Sequence, residues 1–212
     1  ATSGAALAAQ QVATDNKIPM VAPAATAENV TVDNKGVVRK FVFRTPFIDP
    51  FQGTVMGKFA SQTLKAKTAA IYVDNSSDYA KGLAKYFEEE FTKSGGTVVI
   101  KEAYLQKDAD FKSTLTKMKA SNPDVIYVPG YYQEVSMIIK QARELGMNQP
   151  MLGGDGWDSP KLAEVAGAVA LENTYMSNHY ASGDSDAKVK VFEEKYEKKY
   201  KAKPEGFAAL GY

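Results

Sequence analysis

Apolar residues recur with a helical period between Val135 and Leu145, and short unbroken apolar runs lie on either side of that segment. Residues 124–128 form a run of strand length, and Gly130-Tyr131-Tyr132-Gln133 breaks it. Val135, Ile138, Ile139, Ala142 and Leu145 then fall at i, i+3, i+4, i+7 and i+10, the spacing of one helix face. Gly146 predicts the end of that helix, because glycine takes the left-handed cap conformation at little cost. Residues 150–153 predict a second strand, which runs into Gly154-Asp155-Gly156-Trp157. Strand, loop, helix, strand and loop in this order are the βαβ pattern of a parallel sheet.

The same alternation extends along most of the chain. Thr2 and Ser3 are good helix caps, and the alanine-rich run to Ala13 favours a helix that Asn16-Lys17 closes. Residues 18–22 read as a short buried strand ending in Pro23-Ala24-Ala25-Thr26, and residues 37–43 as another, broken at Arg44-Thr45-Pro46. Val55, Met56, Phe59, Ala60 and Thr63 share a helix face, as do Ala80, Leu83, Ala84, Phe87 and Phe91. Strands are expected at 68–73, 97–101 and 172–177. Further helices are marked by Phe111, Leu115 and Met118, opened by Asp108 or Asp110, and by Leu162, Val165 and Ala166. Five strands alternating with helices predict an α/β fold with a doubly wound parallel sheet. After a polar linker at 181–186, Val189, Phe192 and Tyr196 mark one more helix, and 205–212 begin a further element past Pro204.

Composition narrows the functional classes. The 212 residues are 44% hydrophobic and 24% charged, ordinary values for a globular chain long enough to bury a core. Lys+Arg 26 against Asp+Glu 25 leaves a net charge of +1, so nothing calls for nucleic acid as a partner. No apolar run approaches a membrane span. The chain has no cysteine, which removes disulfides and thiolate metal sites. Ala1-Thr2-Ser3-Gly4 starts inside a structural element without an initiating methionine or a leader, and reads as the start of a piece from a longer protein.

Catalytic readings find little support. His179 is the one histidine, so triads and Cys–His pairs lack their parts, and a structural or solvated imidazole is favoured over a catalytic base. No phosphate-binding Walker loop or G-x-S-x-G elbow occurs, and Gly153-Gly154-Asp155-Gly156 is a weak match to a phosphate cradle. Asp74, at a predicted strand end, is expected to cap a helix. No metal site or cofactor is expected.

Binding chemistry is better represented. In parallel sheets ligands settle where the carboxyl ends of strands open into loops. Ser3 and Thr26 offer hydroxyls beside free backbone amides, which suits a carboxylate. Asp155 offers a negative charge, which suits an ammonium, and Tyr79, Tyr131 and Trp157 offer apolar surface. Together these groups describe a zwitterion with a side chain, such as a free amino acid.

The strings ATSG, IPMVAPAAT, FRTPFIDPFQG, DNSSDYAKGLA, DVIYVPGYYQEVSMIIKQARELG and GGDGWDS occur in this order over essentially the whole chain. They resemble the amino-acid-binding proteins of ABC importers of the branched-chain (Leu/Ile/Val) type, with GYYQE followed by GGDGW the most specific part. The resemblance implies the type I periplasmic-binding-protein fold: two α/β lobes about a hinge that close on a ligand and deliver it to a membrane permease, from an extracytoplasmic place, either periplasmic or lipid-anchored on the outer face of a Gram-positive membrane. By motif, Ser3 and Thr26, with backbone at Ala24, would hold the α-carboxylate, and Asp155 would pair with the α-ammonium. Tyr79 and Tyr131 would wall the cleft and Trp157 would line the side-chain pocket. Some branched-chain binders carry Glu where Asp155 stands. The mapping makes 1–45 part of a first lobe, 46–180 a second lobe and 181–212 a return segment to the first. A partial lobe would leave strand edges and apolar faces uncovered, so self-association, by swapped elements or otherwise, or loosely ordered ends are expected. A ligand-sensing core of a receptor or transcriptional regulator shares this fold and stands as the alternative; a hydrolase using Asp155 is a weaker one.

Overall fold

The computed structural model describes residues 2–212. In chain order its elements are α1 (Ser3–Asp15), β1 (Met20–Ala22), β2 (Val42–Arg44), α2 (Asp49–Lys58), β3 (Thr68–Asp74), α3 (Asp78–Lys93), β4 (Thr97–Tyr104), α4 (Lys112–Ala120), β5 (Val125–Tyr127), α5 (Tyr132–Glu144), β6 (Met151–Gly153), α6 (Pro160–Ala166), β7 (Thr174–Met176), α7 (Ala187–Tyr200) and α8 (Gly206–Gly211). They divide into two compact units, one of Ala1–Phe47 with Asn178–Tyr212, the other of Ile48–Ser177. No helix among the described residues is long and apolar enough to cross a membrane.

The second unit is built on a five-stranded sheet of order β4-β3-β5-β6-β7, with every neighbouring pair parallel. Alternate residues of the central strands β3, β5 and β6 feed two different cores, as a period of two requires. Ala70 and Tyr72 of β3, Ile126 of β5 and Met151 of β6 pack with Leu115 and Met118 of α4 and with Val135, Ile138, Ile139 and Ala142 of α5. Their neighbours Ala69, Ile71, Val73, Val125, Tyr127 and Leu152 pack on the other face with Met56 of α2 and Leu83, Phe87 and Phe91 of α3. The sheet is therefore doubly wound, as the alternating pattern predicted. The chain leaves β3 for the edge strand β4 and returns on the opposite side as β5, so the loops after β3 and β5 part company at that point. This is the topological switch where α/β sheets open a crevice.

The helices start and stop for local reasons. Ser77 caps α3, its hydroxyl accepting from the Ala80 amide at 3.3 Å, and Gly95 ends the helix at φ +87°. Asp74 does not cap: it braces the turn before α3, accepting from the Ser76 amide and hydroxyl and from Gln106 Nε2. Asp110 accepts from the first amide of α4 at Lys112, whereas Asp108 turns back to Leu105. Beyond Lys58 the coil of α2 widens into a π turn over Phe59–Thr63. The buried face of α2 runs through Asp49, Gln52, Gly53, Met56 and Gly57, so Val55, expected inside, lies beside that stripe and is 38% exposed.

The first unit is thinner. Its sheet is the parallel pair β1–β2, with Ala22 beside Arg44 in register. Ala6 of α1 packs with Ala22, Val30 and Val42 on one face. The strand expected at 37–43 forms only from Val42, because Gly36 at φ +79° and a turn capped by Asp33 bend the preceding residues into a single antiparallel bridge, Val32 to Val38. The strand expected at 18–22 is present from Met20, but Ile18 and Val21 are more than half exposed, so it is not the buried strand its composition suggested. Phe192 of α7 gathers Tyr180, Tyr196 and Tyr212 about itself.

Candidate functional site

Three loops at the carboxyl end of the second unit's sheet meet around Asp155, which follows β6 and is 2% exposed. Two side chains aim donors at the same oxygen, Oδ1: Gln52 Nε2 at 2.9 Å and the Tyr79 hydroxyl at 2.8 Å. Burial raises the Asp155 carboxyl above the usual aspartate range, and the hydrogen bonds from Gln52, Tyr79 and backbone amides oppose that rise. The result is a desolvated carboxylate held by fixed dipoles, an arrangement suited to an incoming cation.

Tyr79 stands on the first turn of α3 and stacks on Tyr131 at 4.9 Å between ring centroids. Tyr131 lies just before α5 and is partly exposed. Burial drives the Tyr79 hydroxyl well above its usual range, with the Asp155 charge second, so it remains a proton donor at any ordinary pH. The glycines about Asp155 serve close approach rather than a phosphate cradle. A Cβ on Gly154 would meet the Tyr79 oxygen at 2.7 Å, and one on Gly156 would meet the Gly130 carbonyl at 2.7 Å. Trp157 differs from its expected place as a wall of the side-chain pocket. It is 1% exposed in the core, donates its indole N–H to the Val128 carbonyl at 3.1 Å, and occupies the space a Gly153 side chain would need.

The remaining expected residues belong to the first unit. Ser3, in the first turn of α1, is buried, and its hydroxyl oxygen accepts from the Ala27 amide at 3.1 Å, which leaves the hydroxyl proton to be donated. Thr26 is 1% exposed, yet its Oγ1 has no hydrogen-bond partner. Ala24 lies two residues earlier in the same loop and is partly buried. Leaving a buried hydroxyl unsatisfied costs about 1–3 kcal/mol, a cost that a hydrogen-bonding ligand would recover. Arg44 shapes this loop: its guanidinium donates to the carbonyls of Ala25 at 3.2 Å, Ala27 at 2.8 Å and Glu28 at 3.0 Å. The first-turn amides of α1 have no intrahelical acceptors, which makes this helix start receptive to an anion. Thus Tyr79, Tyr131 and Asp155 meet within one unit, and Ser3, Ala24 and Thr26 share the α1–β1 end of the other.

Sequence reasoning missed Gln52 and Arg44. Gln52 lies 103 residues from Asp155, in a stretch whose apolar pattern announced only a helix. Arg44 read as a strand breaker, although it continues β2 beside Ala22. His179 is half-buried and stacked on Phe47 at 3.4 Å, and burial lowers its imidazole to about 4. No group of three or more acidic or histidine side chains able to hold a metal occurs among the described residues.

An open parallel sheet wound on both faces, with a buried carboxylate and stacked tyrosines at its strand ends, is the architecture of a type I periplasmic-binding-protein lobe. The family model described as periplasmic binding protein matches residues 1–212, and the chain belongs to that family. It is similar to the Leu/Ile/Val-binding protein BraC3 of Rhizobium johnstonii, with 33% identity over 84% of this chain and 47% of that protein. Among solved structures, the leucine binding protein LivK of Thermotoga maritima is 42% identical with a TM-score of 0.89, over 98% of this chain and 57% of that one. The branched-chain amino acid transporter substrate binding protein LivJ of Streptococcus pneumoniae, solved with isoleucine, is 40% identical with a TM-score of 0.92, over 100% and 59% of the two chains. The chain spans about half the length of the curated relatives it matches.

Proposed function

We propose that this chain is part of the extracytoplasmic solute-binding component of an ABC importer, and that its site takes a free branched-chain amino acid. The observation that carries the reading is the buried Asp155 carboxylate, held by Gln52 and Tyr79 at a strand end of the second unit. Asp155 would pair with the α-ammonium, and the stacked Tyr79 and Tyr131 would border the bound molecule. Ser3, the unpartnered Thr26 hydroxyl and backbone at Ala24 would receive the α-carboxylate. Trp157 would support the side-chain pocket from the core rather than form its surface. In this reading residues 46–180 are one lobe, while 1–45 and 181–212 belong to the other, and ligand capture is a hinge closure that desolvates both charged ends together. Relatives that bind leucine, isoleucine and valine by name support this assignment, and the permease of the importer is the expected partner.

Calorimetric titration of the full-length protein with leucine, isoleucine and valine tests the reading, with Asp155→Ala as the control. Removing one partner of a buried charge pair costs about 3–5 kcal/mol, so the variant should lose on the order of a hundredfold or more in affinity. Retained affinity in Asp155→Ala would remove the ammonium assignment. For the 212 residues alone, we further propose self-association through the uncovered apolar face of β1 and β2, where register partners Val21 and Phe43 are both more than half exposed. Sedimentation should show species larger than a monomer, and a single compact monomer at every concentration would refute this.

A further inference from the structure

The hydrogen bonds around Asp155 have a direction that geometry alone fixes. A backbone N–H can only donate. The Asp155 amide donates to Gln52 Oε1 at 3.2 Å, so the Gln52 side-chain amide must present its oxygen on that side and its NH₂ group to Asp155 Oδ1. The Ser177 hydroxyl, at 2.8 Å from the same Oε1, fits only as a second donor. Tyr79 follows the same logic: the Gly156 amide donates to its hydroxyl oxygen at 2.9 Å, which sends the hydroxyl proton to Asp155 Oδ1. Two obligate donors therefore set the polarity of two side chains, and both deliver a proton-bearing group to one carboxylate oxygen. Gln52 is 0% exposed and its oxygen is doubly occupied. It has no freedom to turn over.

We propose that Gln52 is a positioning residue for amino-acid binding: held in one orientation by the Asp155 amide and Ser177, it keeps the Asp155 carboxylate ionised and aimed for the ligand's ammonium. This rests on the reading of Asp155 given above. A donor role and a packing role part company on substitution, because an apolar side chain of the same length would fill the space and still leave Oδ1 one donor short. The titratable groups around this carboxylate are Tyr79 from α3, Tyr131 before α5 and Tyr127 from β5, with Asp49 from α2 acting on Tyr79 and Tyr127. The tyrosines stay protonated in acid, so they contribute nothing to an acid limb of binding, and the Asp155 carboxyl does.

The test is the affinity of the full-length protein for isoleucine as a function of pH, in Gln52→Met, Gln52→Glu and Asp155→Ala. Affinity falls in acid as Asp155 takes up a proton and can no longer balance an ammonium. Losing the Gln52 donor should weaken binding by about tenfold or more at neutral pH and move the acid limb to higher pH. Gln52→Glu keeps the shape and sets a second carboxyl against the first, so its acid limb should lie higher still. A packing defect would weaken binding equally at all pH values. If Gln52→Met, or Gln52→Glu where the Met variant does not fold, keeps the wild-type acid limb while Asp155→Ala abolishes binding, the positioning role is refuted and the Asp155 reading stands. If Asp155→Ala binds normally, both fall.

Discussion

Val21 and Ile126 both sit in parallel strands, yet Val21 is 59% exposed and Ile126 is fully buried. A parallel strand is as dry as the layers laid on it. In the second unit, helices cover both faces of the sheet, and the strand interiors feed two separate cores. In the first unit, α1 and the segment about Val30 cover one face of β1–β2, and the other face presents Val21 and Phe43. The polar groups follow the same division. Around Asp155, two side chains are locked by backbone amides before any ligand arrives. Around Thr26, by contrast, a buried hydroxyl has no partner. The second unit brings a finished recognition element; the first brings hydrogen-bonding capacity still to be used.

Truncation at matched positions sharpens this contrast most. Ile126→Ala removes buried methyl groups from a filled core and should cost about 2–5 kcal/mol in urea unfolding. Val21→Ala takes apolar surface from an uncovered face and should stay within about 0.5 kcal/mol in a dilute monomeric sample. Equal losses would erase the distinction and show that a second layer covers Val21. A loss at Val21 that grows with protein concentration would instead support the self-association proposed for these residues.

The division also explains what the sequence could announce. Leu83, Phe87 and Phe91 on α3, or Val135, Ile138 and Ile139 on α5, repeat at helical spacing because each helix buries one continuous stripe, and all six are fully buried. The central strands β3, β5 and β6 stand out as apolar runs because helices cover both their faces. Local chemistry also placed Asp155 and Tyr131 at strand ends, because glycine-rich breaks mark where strands stop. Gln52 was out of reach. A polar residue on a helix face reads as solvent-exposed, and its partners at 155 and 177 are separated from it by more than 100 residues. An aromatic in a loop after a strand gives no sign in sequence of its burial, and the Trp157 indole N–H answers the Val128 carbonyl inside the core. The strand at 37–43 failed through Gly36 and Asp33, whose turn outweighed the β-branched pair Val37-Val38.

A smaller effect than that at Ile126 belongs to the first unit and concerns acid. His179 lies half-buried against Phe47 with its imidazole lowered to about 4, against 6.5 for a free side chain, because burial disfavours the charged ring. Above pH 6.5 the ring is neutral in folded and unfolded chains alike, and contributes no pH dependence. Between 6.5 and about 4 the unfolded chain binds a proton that the folded chain refuses, so stability falls as the pH falls through that window. Below it both states are protonated and this loss is complete. Full burial would make the loss about 3 kcal/mol; half exposure to solvent holds it to about 1 kcal/mol. Urea unfolding at pH 7 and pH 5 should therefore show a decrease in the wild type that His179→Phe lacks, since phenylalanine keeps the stack and cannot titrate. The mutation should leave the pH dependence of isoleucine binding to Asp155 where it was, because that carboxyl keeps its Gln52 and Tyr79 donors. If His179→Phe shifts the binding limb as well, the limb does not report Asp155 alone.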